Sequence, residues 1–225
     1  MGKYIGPKTK IIRRLGILPG LTQKNIKEKR KTPGEHGKIL YTNQKRTSIS
    51  EDYKQRLIEK QKVRFNYGLT EKQLYKYYKE AKKRSGSTGD FLLQLLESRL
   101  DCIIYRSGFA PTIPAARQLI NHGHFLVNTK KVNIPSFCCK TNDSIMIRQK
   151  NSTKELIKKN LQMHDTTKDY ILTKIKTNPT ILEFFEPQHL SLDLENLKVK
   201  IVSLVKRNNI LIKINELKVV EFYSR

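Results

Sequence analysis

Two histidines and two cysteines lie close together in the second half of the chain, and their side chains have the chemistry of metal ligands. His122 and His124 are separated by one glycine, and Cys138 and Cys139 are adjacent. A structural zinc site takes its ligands in pairs two to four residues apart. Adjacent cysteines in a strand point to opposite faces, so only one can join the histidines. The spacing argues against a metal centre and favours cysteines that pack, one of them buried.

Asp101 is the strongest candidate for a catalytic residue, because it lies in the segment SRLD at 98–101. That segment resembles the GRLD segment in which pseudouridine synthases carry a nucleophilic aspartate. Here a serine replaces the glycine, and Asp101 falls within a leucine-rich helical pattern. The sequence contains neither a Gly-x-Ser-x-Gly elbow nor a phosphate-binding Gly-Lys-Ser/Thr loop. We therefore expect Asp101 to pair with a nearby arginine or lysine, and we expect no enzymatic activity.

Basic and polar side chains around the histidines favour phosphate binding. A helix over residues 114–122 places Arg117 and Asn121 four residues apart, on one face. Lys130 and Lys131 follow in the next turn. An arginine, a lysine pair and backbone N–H groups together bind phosphates, and histidine donates to phosphate or ribose near neutral pH. We interpret this helix–turn–strand segment as the edge of an RNA-binding face.

The net charge indicates the class of partner. The 225 residues include 45 Lys or Arg and 20 Asp or Glu, which gives a formal charge of +25 and a pI near 10.0. A polyanion relieves such self-repulsion, and RNA or DNA is the leading candidate. An anionic membrane surface fits less well, because the sequence shows neither a long apolar run nor a strongly amphipathic basic helix. Three cysteines without disulfide spacing indicate a reducing compartment.

The positive charge is concentrated towards the N-terminus. Residues 1–64 hold 18 Lys or Arg against 5 Asp or Glu. Glycine and proline recur through residues 1–45, and periodic apolar positions are few. We interpret residues 1–45 as an extended basic arm.

Apolar spacing then predicts the helices that position these charges. Residues 51–68 suit a basic helix that ends at Gly68, and Thr70 with Gln73 predicts a capping box for the next helix. The core-facing stripe of that next helix comprises Leu74, Tyr77, Tyr78 and Ala81. Residues 90–108 predict one amphipathic helix that ends at Gly108.

A compact α/β arrangement is predicted for the segment that follows. Thr112 is a suitable N-cap, Pro114 suits the first helical turn, and Gly123 suits the stop. Period-two runs in HFLVN, KKVNI and DSIMIR predict a small antiparallel sheet. The segment STKE at 152–155 predicts a second capping box, and residues 165–209 show no clear pattern.

Five ordered motifs resemble the S4 family of small-subunit ribosomal proteins. They are YIGPKTKIIRRLGILPGLT, TPGEHG, RLIEKQKVRFNYGLTEKQLYKYYKEA, GSTGDFLLQLLESRLD and the terminal KINELKVVEFYSR. Residues 99–148 resemble the S4 RNA-binding domain, which also occurs in rRNA-modifying enzymes and tyrosyl-tRNA synthetases. The segments LPGLT and TIPAARQLINH are similar to the plastid branch of the family. The family motif begins within a few residues of Met1, so we expect a protein that is encoded and located in the plastid. The plastid is either a chloroplast or a non-photosynthetic plastid.

With this resemblance, the predicted fold is α+β. It consists of a basic extended N-terminal arm, an α-helical domain and an inserted small α/β domain of the S4 type. The predicted boundaries are 1–45 for the arm, 46–98 with the C-terminal segment 209–225 for the helical domain, and 99–208 for the S4 domain. Residues 149–208 are a divergent region of that last domain.

The resemblance also implies a role. Family members are structural constituents of the small ribosomal subunit that bind 16S-type rRNA directly and nucleate assembly of its 5′ domain. They neighbour small-subunit ribosomal proteins three and five near the mRNA entrance and support translational accuracy. Some bacterial members hold zinc through cysteines in the arm; those cysteines are missing here, so no metal or cofactor is expected. The alternatives are a non-ribosomal RNA-binding regulator and an rRNA-modifying enzyme that uses an S4 domain for targeting.

Charge, spacing and resemblance together predict the residues that contact RNA, while membranes and small-molecule substrates are not expected as partners. The predicted RNA-binding residues are Lys3, Lys8, Lys10, Arg13, Arg14, Lys24, Lys38, Arg46, Lys54, Arg56, Lys60, Lys62, Arg64, Thr112, Arg117, Gln118, Asn121, His122, His124, Lys130 and Lys131.

One position departs from the family pattern. The family has Asn-Gly at the hairpin tip, where this chain has Asn128 and Thr129. A tight primed turn needs positive φ at both central residues, which threonine disfavours. We therefore expect a looser hairpin or a different turn.

Overall fold

The computed structural model describes residues 4–22, 48–174, 187–193, 195–210, 212 and 214–224. It divides into two compact units. The helical unit comprises residues 1–92 and 212–225, and the sheet unit comprises residues 93–211. Helices are combined with a small antiparallel sheet, so the predicted α+β class is confirmed. Within those described ranges, no helix has the length and apolar character needed to cross a bilayer.

The described elements follow one order along the chain. They are α1 (Lys8–Leu15), α2 (Ser48–Asn66), α3 (Glu71–Lys82), α4 (Thr88–Glu97), α5 (Leu100–Arg106), α6 (Ile113–Asn121), β1 (Phe125–Val127), β2 (Lys130–Lys131), β3 (Ser144–Ile147), α7 (Asn151–Lys174), β4 (Leu190–Asp193), β5 (Lys198–Ile201), a 3-10 turn (Arg207–Asn209) and α8 (Glu216–Ser224).

Helix α1 lies inside the arm that was predicted to be extended. Its residues Ile11 and Ile12 are buried. Gly16 ends the helix at φ +91°, and its N–H donates to the carbonyl of Ile12 at 2.8 Å. Over these residues the extended prediction was wrong, because burial of two isoleucines offsets the entropy lost in ordering the helix.

The capping box that opens α3 is confirmed. The Thr70 hydroxyl accepts from the backbone N–H of Gln73 at 3.3 Å, and the Gln73 side-chain carbonyl accepts from the N–H of Thr70 at 3.0 Å. Leu74, Tyr78 and Ala81 are buried, as the apolar stripe predicted, while Tyr77 is only half-buried. Two reciprocal hydrogen bonds fix where α3 begins and therefore which side chains it turns outwards.

The helix predicted over residues 90–108 is broken into α4 and α5. At the break Arg99 has extended backbone and forms an antiparallel bridge with Cys138. The N–H of Cys139 donates to the carbonyl of Ser98 at 2.9 Å, and the N–H of Leu100 donates to the carbonyl of Phe137, also at 2.9 Å. The single helix was wrong because pairing with residues 137–139 replaces its internal hydrogen bonds.

The five strands form one antiparallel sheet in the order β2-β1-β3-β5-β4. Phe125 and Val127 in β1, and Ile145 and Ile147 in β3, are buried as their period-two spacing predicted. Strands β4 and β5 come from the stretch that showed no pattern. Core residues that pack with the sheet include Leu100, Ile104, Ile120 and Ile157 from the helices and Phe109 from the turn after α5.

The hairpin between β1 and β2 keeps the tight primed turn, so the expectation of a looser or different turn was wrong. Asn128 has φ +47° and Thr129 has φ +69°. The Asn128 side chain holds the turn, since its carbonyl accepts from the N–H of Ser144 at 2.9 Å and its amide donates to Asp143 at 2.8 Å. These bonds offset the strain of a threonine with positive φ.

Two local predictions near the sheet have opposite outcomes. Cys139 is buried and Cys138 is exposed, as expected of a packed pair. Helix α7 begins at Asn151, before Ser152, so the capping box that used Ser152 as N-cap was wrong. The carbonyl of Lys150 instead accepts from the N–H of Lys154 at 3.0 Å.

Among the described residues, no three His, Cys, Asp or Glu side chains are grouped as metal ligands would be.

Candidate RNA-binding surface

A buried carboxylate anchors the helix that carries the predicted RNA contacts. Asp101 is fully buried, and Arg99 binds it through Nε at 3.0 Å and Nη2 at 2.8 Å. The Nε of Arg117 on α6 donates to the same carboxylate at 2.7 Å. The predicted pairing with a nearby cation is confirmed. A carboxylate enclosed by two guanidinium groups has no access to a substrate, so it has the environment of a structural residue.

Arg117 links this buried anchor to the surface. Its side chain is 26% exposed. The bond to Asp101 fixes the guanidinium plane, and a planar, pre-oriented guanidinium suits a phosphate ligand. Arg117 therefore has a structural bond and partial exposure at the same time.

Helix α6 begins at Thr112 and turns its C-terminal polar residues towards solvent. The Thr112 hydroxyl accepts from the N–H of Ala115 at 3.3 Å, so this predicted RNA contact also serves as the N-cap. Gln118, Asn121 and His122 are exposed. Because Ile113, Ala116 and Ile120 on the same helix are buried, the polar face cannot rotate inwards.

The two histidines have different surroundings. His122 is exposed, whereas His124 is half-buried and its Nδ1 lies 2.9 Å from the hydroxyl of Thr153 at the start of α7. Burial lowers the pKa of His124, and the positive potential of His122, Lys150 and Arg148 lowers it further. His124 is therefore neutral at pH 7 and acts through hydrogen bonds, while an incoming phosphate would favour its protonation.

The β1–β2 hairpin brings its lysines to the end of α6. Lys130 and Lys131 form β2 and are both exposed. A methyl group built onto Gly123 would collide with the Lys131 side chain, so this lysine lies directly against the turn that follows α6. Gly123 has φ +70°, which also favours glycine there. The structure thus brings Lys131 together with the turn between the two histidines.

Sequence reasoning missed Arg148 and Lys150. Both are exposed, and their positive potential reaches His124. Strand β3 ends just before Arg148, and α7 begins just after Lys150. The available signal was the basic run RQK at the end of a predicted strand, beside a strand that was already assigned to the RNA-binding face.

We define the hairpin surface as the exposed or half-exposed polar residues at this edge of the sheet unit. Its members are Gln118, Asn121, His122, His124, Lys130, Lys131, Arg148 and Lys150. Within the part of the chain that the structure describes, none of its lysine or arginine side chains forms a salt bridge. Cations without a carboxylate neighbour retain their full attraction for a phosphate.

The predicted cations of α2 are arranged in the opposite way. Lys60 is buried and its ammonium group lies 3.0 Å from Glu71, while buried Arg56 donates to the carbonyl of Asp52 at 3.1 Å. Arg56 also lies 3.9 Å from a carboxylate oxygen of Glu221 in α8. These side chains join α2 to α3 and α8, so their charge is largely taken up inside the helical unit.

The remaining predicted contacts of the helical unit are partly exposed. Lys62 pairs with Glu59 at 2.6 Å, and Arg64 donates to Gln61 at 3.3 Å. Lys54 is half-buried. On α1, Lys10 and Arg14 are exposed, Arg13 is half-buried, and Lys8 donates to the carbonyl of Leu21 at 3.3 Å. Lys3, Lys24, Lys38 and Arg46 lie outside the described residues.

Comparison with known proteins places this surface in a family context. Residues 3–97 match the model described as Ribosomal protein S4/S9 N-terminal domain, and residues 98–145 match the S4 domain. The small ribosomal subunit protein uS4c of Trieres chinensis is 49% identical over 226 residues, covering 100% of each chain. The uS4c protein of Prototheca wickerhamii is 49% identical over 225 residues, and the uS4 protein of Cyanothece sp. is 48% identical over 226; each match covers 100% of this chain and 99% of the relative.

Proposed function

The chain belongs to the S4 family of small ribosomal subunit proteins, and on that premise we propose that it binds the 5′ domain of 16S-type rRNA early in subunit assembly. It is a structural, non-enzymatic constituent of the small ribosomal subunit, where it binds rRNA. Its relatives make it a protein of the plastid type, located in plastids.

The observation that carries this proposal is the hairpin surface. Lys130, Lys131, Arg148 and Lys150 are exposed around two histidines and have no salt-bridge partner among the described carboxylates. Duplex RNA is recognised by its shape, phosphates and 2′-hydroxyls, because its major groove is too narrow for side chains. A rigid edge of cations and hydrogen-bond donors suits that mode of binding.

The predicted contacts of the helical unit belong to the same proposal. Lys10 and Arg14 are exposed on α1 and carry positive charge beside the rest of the proposed arm, residues 1–45. Exposed cations on α1 add phosphate contacts, which position a protein on RNA without reading its sequence. We further propose that small-subunit ribosomal proteins three and five are neighbours, that mRNA enters nearby, and that the protein supports decoding accuracy.

Sedimentation with small subunits tests the proposed role. Full-length protein is added to an assembly reaction of plastid-type small-subunit rRNA and proteins, and fractions are collected over time on high-magnesium sucrose gradients. We expect stoichiometric incorporation into the earliest 5′-domain particle, before most other proteins bind. Late or substoichiometric association would contradict the early role, and a protein found mainly in light fractions would indicate a free RNA-binding regulator.

The enzymatic alternative is separated by a chemical assay. The geometry around Asp101 disfavours pseudouridine formation, because the carboxylate is enclosed by Arg99 and Arg117. We expect no pseudouridine above background after incubation of the full chain with unmodified rRNA. Pseudouridine that disappears in Asp101→Ala protein would restore the enzymatic alternative.

A further inference from the structure

Helix α3 exposes a second basic face that none of the predicted contacts includes. Lys72, Lys76, Lys79 and Lys83 are spaced at i, i+4, i+7 and i+11 and are all exposed. This spacing places them on one side of a helix. Eleven residues span about 16 Å of helix, a length that reaches several successive phosphates of a nucleic-acid strand. We call these four residues and Tyr75 the lysine face.

The charge of the lysine face is not neutralised inside the protein. Among the carboxylates that the structure describes, none lies within salt-bridge distance of these four lysines. Glu71, the acidic residue of the first turn, instead bonds to Lys60 at 3.0 Å and accepts from the Tyr223 hydroxyl at 2.7 Å. Glu80, four residues after Lys76 and three before Lys83, is exposed and forms no salt bridge within the described residues.

Helix electrostatics do not account for the whole face. A helix dipole favours cations in the last turn, which suits Lys79 and Lys83. Lys72 lies in the first turn, where the same dipole disfavours a positive charge. The helix dipole therefore does not stabilise Lys72, and Lys72 has no carboxylate partner among the described residues.

Tyr75 adds an aromatic surface between the lysines. Its side chain is 43% exposed, whereas Tyr78, three residues further along the helix, is buried. The ring is supported from within the unit by Tyr78, with centroids 6.3 Å apart and planes 19° apart, and by Tyr223, with centroids 5.6 Å apart. The ammonium group of Lys79 lies 4.7 Å from the Tyr75 ring centroid. A supported, exposed ring beside cations is the arrangement on which nucleobases stack.

We propose that the lysine face is an additional RNA-binding site, which holds successive phosphates of a single-stranded or loop segment of rRNA and stacks an unpaired base on Tyr75. This inference rests on the proposed function, since it adds a site for the same ligand. It assigns a separate role to α3, whose other side packs the helical unit through Leu74, Tyr78 and Ala81.

Matched triple variants test the phosphate contacts. In the full chain, Lys72→Gln, Lys76→Gln and Lys79→Gln are combined, and the control combines Lys154→Gln, Lys158→Gln and Lys159→Gln, which are exposed on α7. Affinity for a 5′-domain rRNA transcript is measured across salt. We expect the α3 variant to lose about tenfold or more in affinity and to have a salt slope smaller by about 2, with a much smaller loss in the control. Equal losses in the two variants would indicate a response to net charge alone and would overturn the site.

Tyr75 is tested by ultraviolet cross-linking of the same complex, followed by mass spectrometry of the peptides. We expect a cross-linked nucleotide on Tyr75 in the wild type. The Tyr75→Phe protein should still carry a cross-linked nucleotide at position 75. Affinity should fall about fivefold or more in Tyr75→Leu and stay unchanged in Tyr75→Phe. Cross-links confined to other peptides, together with wild-type affinity of Tyr75→Leu, would overturn the stacking role.

The two proposals fail in different ways. If wild-type protein does not bind the transcript, the proposed function is wrong and the lysine face loses its premise. If wild-type protein binds, and Lys130→Gln with Lys131→Gln weakens RNA binding while the α3 triple variant binds normally, only the lysine face is wrong. Circular dichroism of each variant confirms that the helices remain folded.

Discussion

Helix α2 and the hairpin surface carry similar cations, but the two regions use them differently. On α2, Lys60 is buried and bonds to Glu71. Arg56 is also buried; it donates to a backbone carbonyl and lies 3.9 Å from Glu221. On the hairpin surface, Lys130 and Lys131 are exposed on a strand at the edge of the sheet. The neighbouring carboxylate, rather than the residue type, decides whether a cation joins helices or remains available to phosphate.

Arg117 is intermediate between these two cases. Its Nε bonds to a buried carboxylate, as the α2 cations do, yet a quarter of its side chain remains exposed, as on the hairpin surface. Substitution of Arg117 will therefore change both stability and RNA binding. Variants that change only stability or only RNA binding separate the two roles.

Removal of the buried anchor should have the largest effect on folding. Asp101→Ala leaves Arg99 and Arg117 without their shared carboxylate, and Arg99 is almost fully buried. We expect the free energy of unfolding to fall by about 3–5 kcal/mol. Urea denaturation measures this change, with Glu155→Gln on the exposed side of α7 as the control. If Asp101→Ala were as stable as the control, the anchor would have no structural role.

Acid should act on the sheet unit before the helical unit. Burial, and then the charge of Arg106, lower the pKa of His189 from 6.5 to about 4. The unfolded chain binds this proton more readily, so stability is complete above pH 6.5 and falls as the pH drops towards 4. Burial alone would raise the pKa of Glu71, but hydrogen bonds from Tyr223 and Lys60 outweigh it and lower the pKa. The stability that ionised Glu71 gives to the helical unit is therefore lost only below about pH 4.5.

Urea denaturation of wild-type and His189→Asn proteins at pH 7.0 and pH 5.0 measures this difference. We expect the wild type to lose on the order of 2 kcal/mol between these pH values, and the variant to lose much less. The same loss in both proteins would assign the acid sensitivity to other groups.

Lys60→Gln should affect stability more than RNA affinity. The substitution removes a charged hydrogen bond to Glu71 from a buried position. We expect a loss of about 1–3 kcal/mol in the free energy of unfolding, and little change in affinity for the rRNA transcript once the protein is folded. Calorimetry and filter binding give the two values. A folded Lys60→Gln protein with much weaker RNA binding would break the contrast between α2 and the hairpin surface.

The hairpin lysines should show the reverse behaviour. Lys130→Gln combined with Lys131→Gln removes two exposed charges, so the free energy of unfolding should change by no more than about 0.5 kcal/mol. The slope of log affinity against log salt should decrease by about 1.5, corresponding to two phosphate contacts. Wild-type affinity and slope in this double variant would remove the hairpin lysines from the RNA-binding surface.

Local sequence signals predicted elements whose causes are themselves local. Thr70 with Gln73 and the cap at Thr112 depend on residues three positions away, so their hydrogen bonds follow from spacing alone. The alternating burial of β1 and β3 likewise follows from period two. The exposed polar end of α6 was predictable for the same reason.

Features that depend on distant partners were not predictable in this way. The break at Arg99 results from pairing with Cys138, and the primed turn at Thr129 is held by Asp143 and Ser144. The burial of Lys60 depends on a carboxylate 11 residues away. Strands β4 and β5 become recognisable only because they pair with each other and β5 pairs with β3. Sequence spacing located the cations, but only the fold reveals which of them are paired.

The salt dependence of rRNA binding tests the central claim most directly. Affinity of the full-length protein for a 5′-domain transcript is measured between 50 and 200 mM salt at constant magnesium. If the exposed cations neutralise about 6–10 phosphates, affinity should fall by roughly 10³–10⁵ over this range. An affinity that stays flat across the range would contradict an RNA-binding surface built from unpaired cations.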